Sequence, residues 1–259
     1  MTKHHLYLKK DPPLAWIVFN RPDMRNAVSL AMWKILPDLI GEVDNDDTLR
    51  VLIIRGEGDD AFISGADISQ FEKVCFGVID GEYDKSTGNA LKMIEQMQKP
   101  VIAMIHGYCM GGGCSIAMAC DLRLASNDAK FSIPAARIGI AYSPERGARQ
   151  LVHLVGQANA AEMLLSGREY DADEAYHMGL INRVIPKKEL ETYTKRYALD
   201  IADNAPYSLM AHKIFIREVL NPSSDSNLNE LSFQCINSQD YKEGVAAFLE
   251  KRKPKFLGK

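Results

Sequence analysis

Three short apolar runs rich in β-branched residues, Leu14–Phe19, Val51–Arg55 and Val101–His106, punctuate the first part of the chain, each ending at a turn signal or a glycine. Between them the apolar positions recur at helical spacing, from about Val28 to Asp44 and from Thr87 to Gln98. Strands alternating with helices predict an α/β core. Two further short strands are expected at Leu122–Ala125 and Lys130–Ile133, around a turn at Asn127-Asp128. From Glu145 onward the pattern changes to consecutive helices broken at Gly156, Gly167, Gly179 and Pro186, and no strand run of comparable strength follows Val184-Ile185. The spacing divides the chain into a core, residues 1–200, and a mainly helical unit, residues 201–259. An exposed break is expected inside that unit at Asn221-Pro222-Ser223-Ser224.

Two glycine-bearing segments follow apolar runs: Ala61-Phe62-Ile63-Ser64-Gly65-Ala66-Asp67-Ile68 and His106-Gly107-Tyr108-Cys109-Met110-Gly111-Gly112-Gly113-Cys114. Glycine stands where a chain turns sharply or lets a ligand approach the main chain. Together the segments can aim two backbone N–H groups at one oxygen, the layout that stabilises charge developing on a carbonyl oxygen. A glycine-rich turn can also cradle phosphate, but no GK[ST] follows and G-x-G-x-x-G is absent here, so nucleoside triphosphate and dinucleotide readings are weak.

Composition narrows the class. A chain of 259 residues is long enough to bury a sizeable core, and 46% hydrophobic with 25% charged residues is ordinary for a soluble globular protein. A net charge of −3 argues against general nucleic-acid affinity, while Lys251, Arg252, Lys253, Lys255 and Lys259 make a local basic patch at the C-terminus. The five cysteines, Cys75, Cys109, Cys114, Cys120 and Cys235, form no CxxC pair, so neither a disulfide framework nor a zinc site is expected. The start carries no apolar leader core, and no apolar run approaches the roughly 18 residues that cross a bilayer. The expectation is a reduced, soluble, cytoplasmic protein without a metal and without a nucleic-acid or membrane partner. His4 and His5 read as exposed terminal residues.

The two glycine segments, with Asn20-Arg21-Pro22 and Asn26-Ala27 near the start, KPVIAMIHGYCMGGGC at 99–114, CDLRLAS at 120–126 and AFLEKRKPKF at 247–256, resemble the crotonase superfamily, the enoyl-CoA hydratase/isomerase proteins. The likeness runs through most of the chain. It implies a spiral core of repeated ββα turns, C-terminal helices that form a homotrimer or a dimer of trimers, and an acyl-CoA substrate with no separate cofactor. It also implies that the N–H groups of Ala66 and Gly112 form the oxyanion hole. Gly112 should open the helix running into Cys114-Ser115-Ile116-Ala117-Met118, where unpaired N–H groups and the helix dipole favour negative charge. By the same likeness, CoA contacts fall at Arg25, Ala27, Ser64, Ala66, Asp67, Ile68 and Ser69. Phe248 and Lys251 match C-terminal positions that reach CoA, commonly from a neighbouring subunit.

One departure matters for chemistry. Hydratases of this family carry two glutamates where this chain has Ser115 and Ala135. A hydroxyl and a methyl do not replace two carboxylates in general acid/base work. Close by lie Arg137 and the segment from Gly139 to Gly147, in which Tyr142 and Glu145 are the candidate catalytic groups. Methylmalonyl-CoA decarboxylases of the superfamily place a tyrosine in the corresponding loop. The resemblance therefore implies an acyl-CoA enzyme that is not an efficient water-adding hydratase; an isomerase, a decarboxylase, a thioesterase and a non-catalytic acyl-CoA binder remain open.

Overall fold

The computed structural model describes residues 5–70, 81–142, 144–220, 222 and 227–259, with the side chains at 145 and 146 outside that set. In chain order the main elements are β1 (Leu6–Asp11), β2 (Leu14–Phe19), α1 (Leu30–Asp44), β3 (Val51–Gly56), β4 (Ala61–Ile63), α2 (Glu82–Gln96), β5 (Val101–Ile105), β6 (Tyr108–Met110), α3 (Gly112–Ala119), β7 (Leu122–Ser126), β8 (Lys130–Ser132), α4 (Arg149–Ser166), β9 (Tyr170–Asp171), α5 (Ala172–His177), β10 (Arg183–Ile185), α6 (Leu190–Ala202), α7 (Pro206–Leu220), α8 (Leu228–Asn237) and α9 (Gln239–Glu250). The expected exposed break at Asn221-Pro222-Ser223-Ser224 and the position of Cys75 fall outside the described residues, Pro222 excepted.

The apolar runs pair side by side. One sheet has the order β1-β2-β3-β5-β7-β10, and a smaller one the order β4-β6-β8-β9. Within the first, β2, β3, β5, β7 and β10 are parallel and β1 is an antiparallel edge. In sequence, β3–β4–α2, β5–β6–α3 and β7–β8–α4 each place one strand in the large sheet, the next in the small sheet and then a helix. This is the repeated ββα turn that the resemblance implies.

A parallel sheet covered on both faces reads as a continuous apolar run, and successive side chains divide between the two faces. In β2, Ala15, Ile17 and Phe19 enter the main core with Trp33, Phe62 and Ile105. Leu14, Trp16 and Val18 enter a second core with Ile53, Ile102 and Leu190, beneath α6. Burial of both faces is why β2, β3 and β5 are legible as strands. Four further strands, β1, β4, β6 and β9, were not anticipated: β1 buries only Leu6 and exposes both Lys9 and Lys10, so it shows no period of two, and the others are only two or three residues long.

The C-terminal helices stand apart energetically. Beyond residue 202 the buried apolar side chains among the described residues are only Ala211 and Ala247, while Val219, Phe233, Phe248 and Leu249 are exposed. Tyr241, Phe248 and Phe256 line an apolar groove of about 390 Å³ on this unit. Among the described residues no helix is long and apolar enough to cross a membrane.

His106, just beyond β5, is 5% exposed, and its Nε2 has no hydrogen-bond partner among the described residues. Burial, and then Arg55 and Lys187, push its imidazole below the ordinary value, with Asp128 and Asp59 opposing. The unfolded chain therefore binds this proton more readily, and the His106 contribution makes stability fall as pH drops through and below about 6.5. Urea unfolding at about pH 7.5 and 5.5 should show this loss, and His106→Gln should reduce the difference between the two midpoints.

Candidate active site

One segment, residues 20–33, builds the frame of the site. Asn26 is fully buried with φ 57°. Its side chain accepts from the Arg21 N–H at 2.9 Å and donates to the carbonyls of Glu57 at 3.0 Å and Ala61 at 2.8 Å. The Arg21 guanidinium donates to the Ala27 carbonyl at 2.8 Å and to Asp67 Oδ2 at 2.9 Å. Burial alone would raise the Asp67 carboxyl, but hydrogen bonds from Ser69 and Arg21 outweigh it and hold the group below the usual carboxylate range. Val28 then bridges this segment to the next loop: its N–H donates to the Gly65 carbonyl at 2.8 Å, and the Asp67 N–H donates to the Val28 carbonyl at 3.0 Å. In a parallel bridge these two bonds flank Ala66 and leave its own N–H turned the other way.

The second loop arrives from β6. Gly111 donates its N–H to the Ser132 carbonyl at 2.8 Å, and Gly112 begins α3. The Gly112 N–H stands among the first amides of the helix, which have no intrahelical acceptor. A side chain at Gly113 would overlap the Ile63 carbonyl oxygen, so glycine there lets the first turn of α3 rest directly on β4. Gly65, at φ 113°, supplies the matching turn on the other side. A Cβ on Gly112 would lie 3.7 Å from the Ala66 nitrogen and 3.5 Å from Trp33 Cζ2. Two amide nitrogens from separate loops thus stand side by side, and neither takes a backbone acceptor across the described loops. Such a pair at a helix N-terminus suits an oxygen that gains negative charge during reaction.

A pair of hydroxyl groups meets on the same turn of α3. Ser115, on the first turn of α3, is 2.7 Å through its Oγ from the Tyr142 hydroxyl, and it also reaches the Gly111 carbonyl at 3.4 Å. Burial raises the Tyr142 hydroxyl above its ordinary value, so it stays protonated at any physiological pH. Trp33 donates its indole N–H to the Tyr83 hydroxyl at 3.0 Å, and burial pushes Tyr83 up to about 12. Ala135 lies in a short turn, Pro134–Ile138, that leads to Tyr142; its carbonyl accepts from the Ile140 N–H at 3.0 Å.

The remaining expected residues are distributed as follows. Ala27 is buried and serves through its carbonyl; Ser64 donates its N–H to the Arg25 carbonyl at 3.0 Å. Arg25 is exposed, with its guanidinium 4.7 Å from the centre of the Tyr108 ring. Asp67 faces inward to Arg21, whereas Ile68 and Ser69 are exposed. Phe248, near the end of α9, is 84% exposed, and Lys251 caps that helix with φ 55°. The Glu145 side chain lies outside the described set. Sequence reasoning gave no role to Arg21, Asn26, Trp33 or Tyr83. The signal for the first two was two polar side chains close to the fully apolar run Leu14–Phe19; Trp33 and Tyr83 resemble ordinary core residues and gave none.

Comparison with known proteins extends the likeness along the chain. The sequence family described as Enoyl-CoA hydratase/isomerase matches residues 10–259. The short-chain-enoyl-CoA hydratase of Clostridium acetobutylicum is 34% identical over 98% of this chain and 97% of its own. The crotonyl-CoA hydratase of Syntrophomonas wolfei is 34% identical, with full coverage of both chains. Among solved structures, an enoyl-CoA hydratase/carnithine racemase from Magnetospirillum magneticum superposes with a TM-score of 0.93 at 34% identity, covering 100% of this chain and 97% of that one. DspI of Pseudomonas aeruginosa gives 0.87 at 31% identity, covering 98% and 97%.

The Arg21–Asp67 pair is the part of the frame most open to test, since Asp67 is only 4% exposed and Arg21 14%. Arg21→Met leaves a buried carboxylate without its cation and should cost about 3 kcal/mol of stability, toward the low end for breaking a buried pair. Arg21→Lys keeps the charge and should recover part of that. Urea unfolding of the two variants beside the wild type measures both.

Proposed function

Because the chain belongs to the enoyl-CoA hydratase/isomerase family, we propose that it binds an acyl-CoA thioester and holds the thioester oxygen, as it becomes enolate-like, between the N–H groups of Ala66 and Gly112. The observation that carries this reading is the pair of adjacent amides with no backbone acceptor among the described residues, one of them at the start of α3. On this reading the exposed Arg25, Ile68 and Ser69 meet the CoA moiety, with Ala27, Ser64 and Asp67 behind them. Phe248 and Lys251 reach the CoA of a neighbouring subunit, which gives the exposed apolar face of α7–α9 an occupant. The assembly is then a homotrimer or a dimer of trimers in the cytoplasm.

The Clostridium and Syntrophomonas relatives are named as hydratases, and the family resemblance implies that water addition works through carboxylates at the positions of Ser115 and Ala135. We read this chain as departing from that chemistry. Its hydroxyl pair is neutral, and Tyr142 is held further from ionisation than an ordinary tyrosine. A neutral donor orients an acceptor or delivers one proton; it does not activate water. Glu145 remains the other acid/base candidate.

One specific observation favours a second reading within the enzyme class. A hole for an enolate oxygen beside a neutral hydroxyl pair suits a reaction that needs no protein base, and decarboxylation of a carboxyacyl-CoA is one. The bond between the α-carbon and the carboxylate breaks, carbon dioxide leaves, and the electron pair passes to the thioester as an enolate. A proton from Tyr142 or water then returns to the α-carbon, and solvent makes good any proton taken from the tyrosine. A non-catalytic acyl-CoA binder would keep the same pocket but turn nothing over.

Calorimetry with a panel of acyl-CoA thioesters tests the foundation: binding no tighter than that of adenosine nucleotides alone overturns it. Mass spectrometry of the same mixtures, scored for hydration, double-bond migration, decarboxylation and thioester hydrolysis, separates the reactions from mere binding. Tyr142→Phe should lower turnover roughly tenfold or more, the lower part of what general acid/base groups contribute, and leave CoA affinity within about twofold. Crotonyl-CoA hydration should be slow in the wild type. Ser115→Glu combined with Ala135→Glu should raise it by less than the roughly 10² to 10⁴ per group of a native site, because a grafted carboxylate lacks its supporting shell.

Light scattering should find an assembly of three or six chains at micromolar concentration. Phe248→Asp should weaken that assembly, since it places a charge on an 84% exposed apolar side chain that the assembly covers.

A further inference from the structure

Tyr142 belongs to the loop between β8 and α4, and its ring rests on Gly147, in the single wide turn Pro144–Ala148 that precedes α4. A Cβ on Gly147 would stand 2.5 Å from Tyr142 Cδ1 and 2.9 Å from Cζ, and closer still to Cε1. A rigid ring met along one edge cannot give way by changing the end of a flexible chain; it must move as a whole. The backbone at Gly147 does not itself demand glycine, because its φ lies outside the left-handed region. Gly147 is buried, so what the residue contributes is the space of one missing methyl group.

That space decides where the hydroxyl goes. Ser115 is fixed on the first turn of α3 by its N–H bond to the Gly111 carbonyl at 3.1 Å, so the 2.7 Å contact depends on how far the tyrosine ring sinks. We propose that Gly147 is a positioning residue: its bare Cα seats the Tyr142 ring and thereby brings the hydroxyl within reach of Ser115, beside the Gly112 amide. The inference rests on the reading of this site as the acyl-CoA site, and deepens it. It assigns the placement of the hydroxyl pair to a residue that acts through the Tyr142 ring.

The decisive variant is Gly147→Ala, read first by alkaline titration of tyrosinate absorbance, which needs no substrate. The chain has ten tyrosines. Burial keeps Tyr142 from ionising in the ordinary range near 10, so displacing its ring should add one tyrosinate equivalent to the Gly147→Ala titration between about pH 9 and 11. The added equivalent should vanish when Gly147→Ala is made together with Tyr142→Phe and compared with Tyr142→Phe alone. A Gly147→Ala titration that overlays the wild type overturns the proposal. If Gly147→Ala alone fails to fold, the double variant with Tyr142→Ala decides. Recovered folding locates the conflict at the ring and supports the proposal; continued failure locates it elsewhere and refutes it.

Turnover of a panel of short acyl-CoA thioesters then distinguishes this inference from the reading beneath it. Gly147→Ala should lose about as much turnover as Tyr142→Phe, roughly tenfold, and the two losses should not add. An extra tyrosinate with undiminished turnover would uphold the seat of Tyr142 and overturn the functional role of the hydroxyl pair.

Discussion

Leaving two backbone amides without acceptors inside a folded chain is costly, about 1–3 kcal/mol for each buried donor not met by water or ligand. A site built on such amides can persist only if everything around them is satisfied and cannot slide to meet them. Here that task falls on residues 20–28. Asn26, fully buried, makes its bonds to three separate stretches of chain, at Arg21, Glu57 and Ala61. Arg21 ties Ala27 to Asp67. With the backbone groups of Gly65 and Asp67 taken by Val28, rotating the Ala66 peptide to find an acceptor would break bonds that are already made. The Ala66 amide, without a backbone acceptor among the described residues, is thus held in place by the completeness of its neighbours' bonding.

The second amide is held differently, from the far end of its helix. α3 is only eight residues long and is buried from Gly113 to Ala119. Its C-terminal carbonyls meet Arg123, 5% exposed, which donates to Ala117 at 3.2 Å, to Cys120 at 2.7 Å and to the carbonyl of Leu180 at 2.8 Å. Burial lowers the pKa of this guanidinium without threatening its charge. A cation at the negative end of a short helix offsets the partial charge there and leaves the positive end at Gly112 unopposed. Frame and helix therefore act on the two amides from opposite sides, and Gly113 lets them meet by allowing α3 to touch Ile63.

Much of this was legible in the sequence, for identifiable reasons. β2, β3 and β5 announce themselves because both faces of the large sheet are covered, and Gly111-Gly112-Gly113 marks the start of α3 because so short a helix start against a strand admits little else. β4 and β6 escaped notice because three residues set no period. The pairing of Ser115 with Tyr142 escaped for another reason. Nothing local to a tyrosine in a loop says which serine it will meet 27 positions away, and the contact depends on a missing methyl group at Gly147. Asp67 shows a third kind of limit: its neighbours Ile68 and Ser69 are exposed, yet its own side chain turns inward to Arg21. A loop that faces a ligand need not present every side chain to it.

On the proposed reading, hydroxyl and methyl groups at 115 and 135 stand in place of carboxylates, and that exchange bears on the amide pair itself. A carboxylate on the first turn of α3 would lie near the oxygen that the amides receive, and two negative charges in a low-dielectric pocket repel. A hydratase accepts that opposition because the same carboxylate moves the proton that the reaction needs. On that reading, with Ser115 and Ala135 in place, the enolate oxygen meets donors and the neutral Ser115–Tyr142 pair, and the two proton-moving carboxylates are absent. The exchange favours reactions whose difficulty lies in stabilising the enolate over reactions whose difficulty lies in moving protons to and from water. On the proposed reading, the chain keeps the part of the site that the backbone builds and changes the part that side chains build.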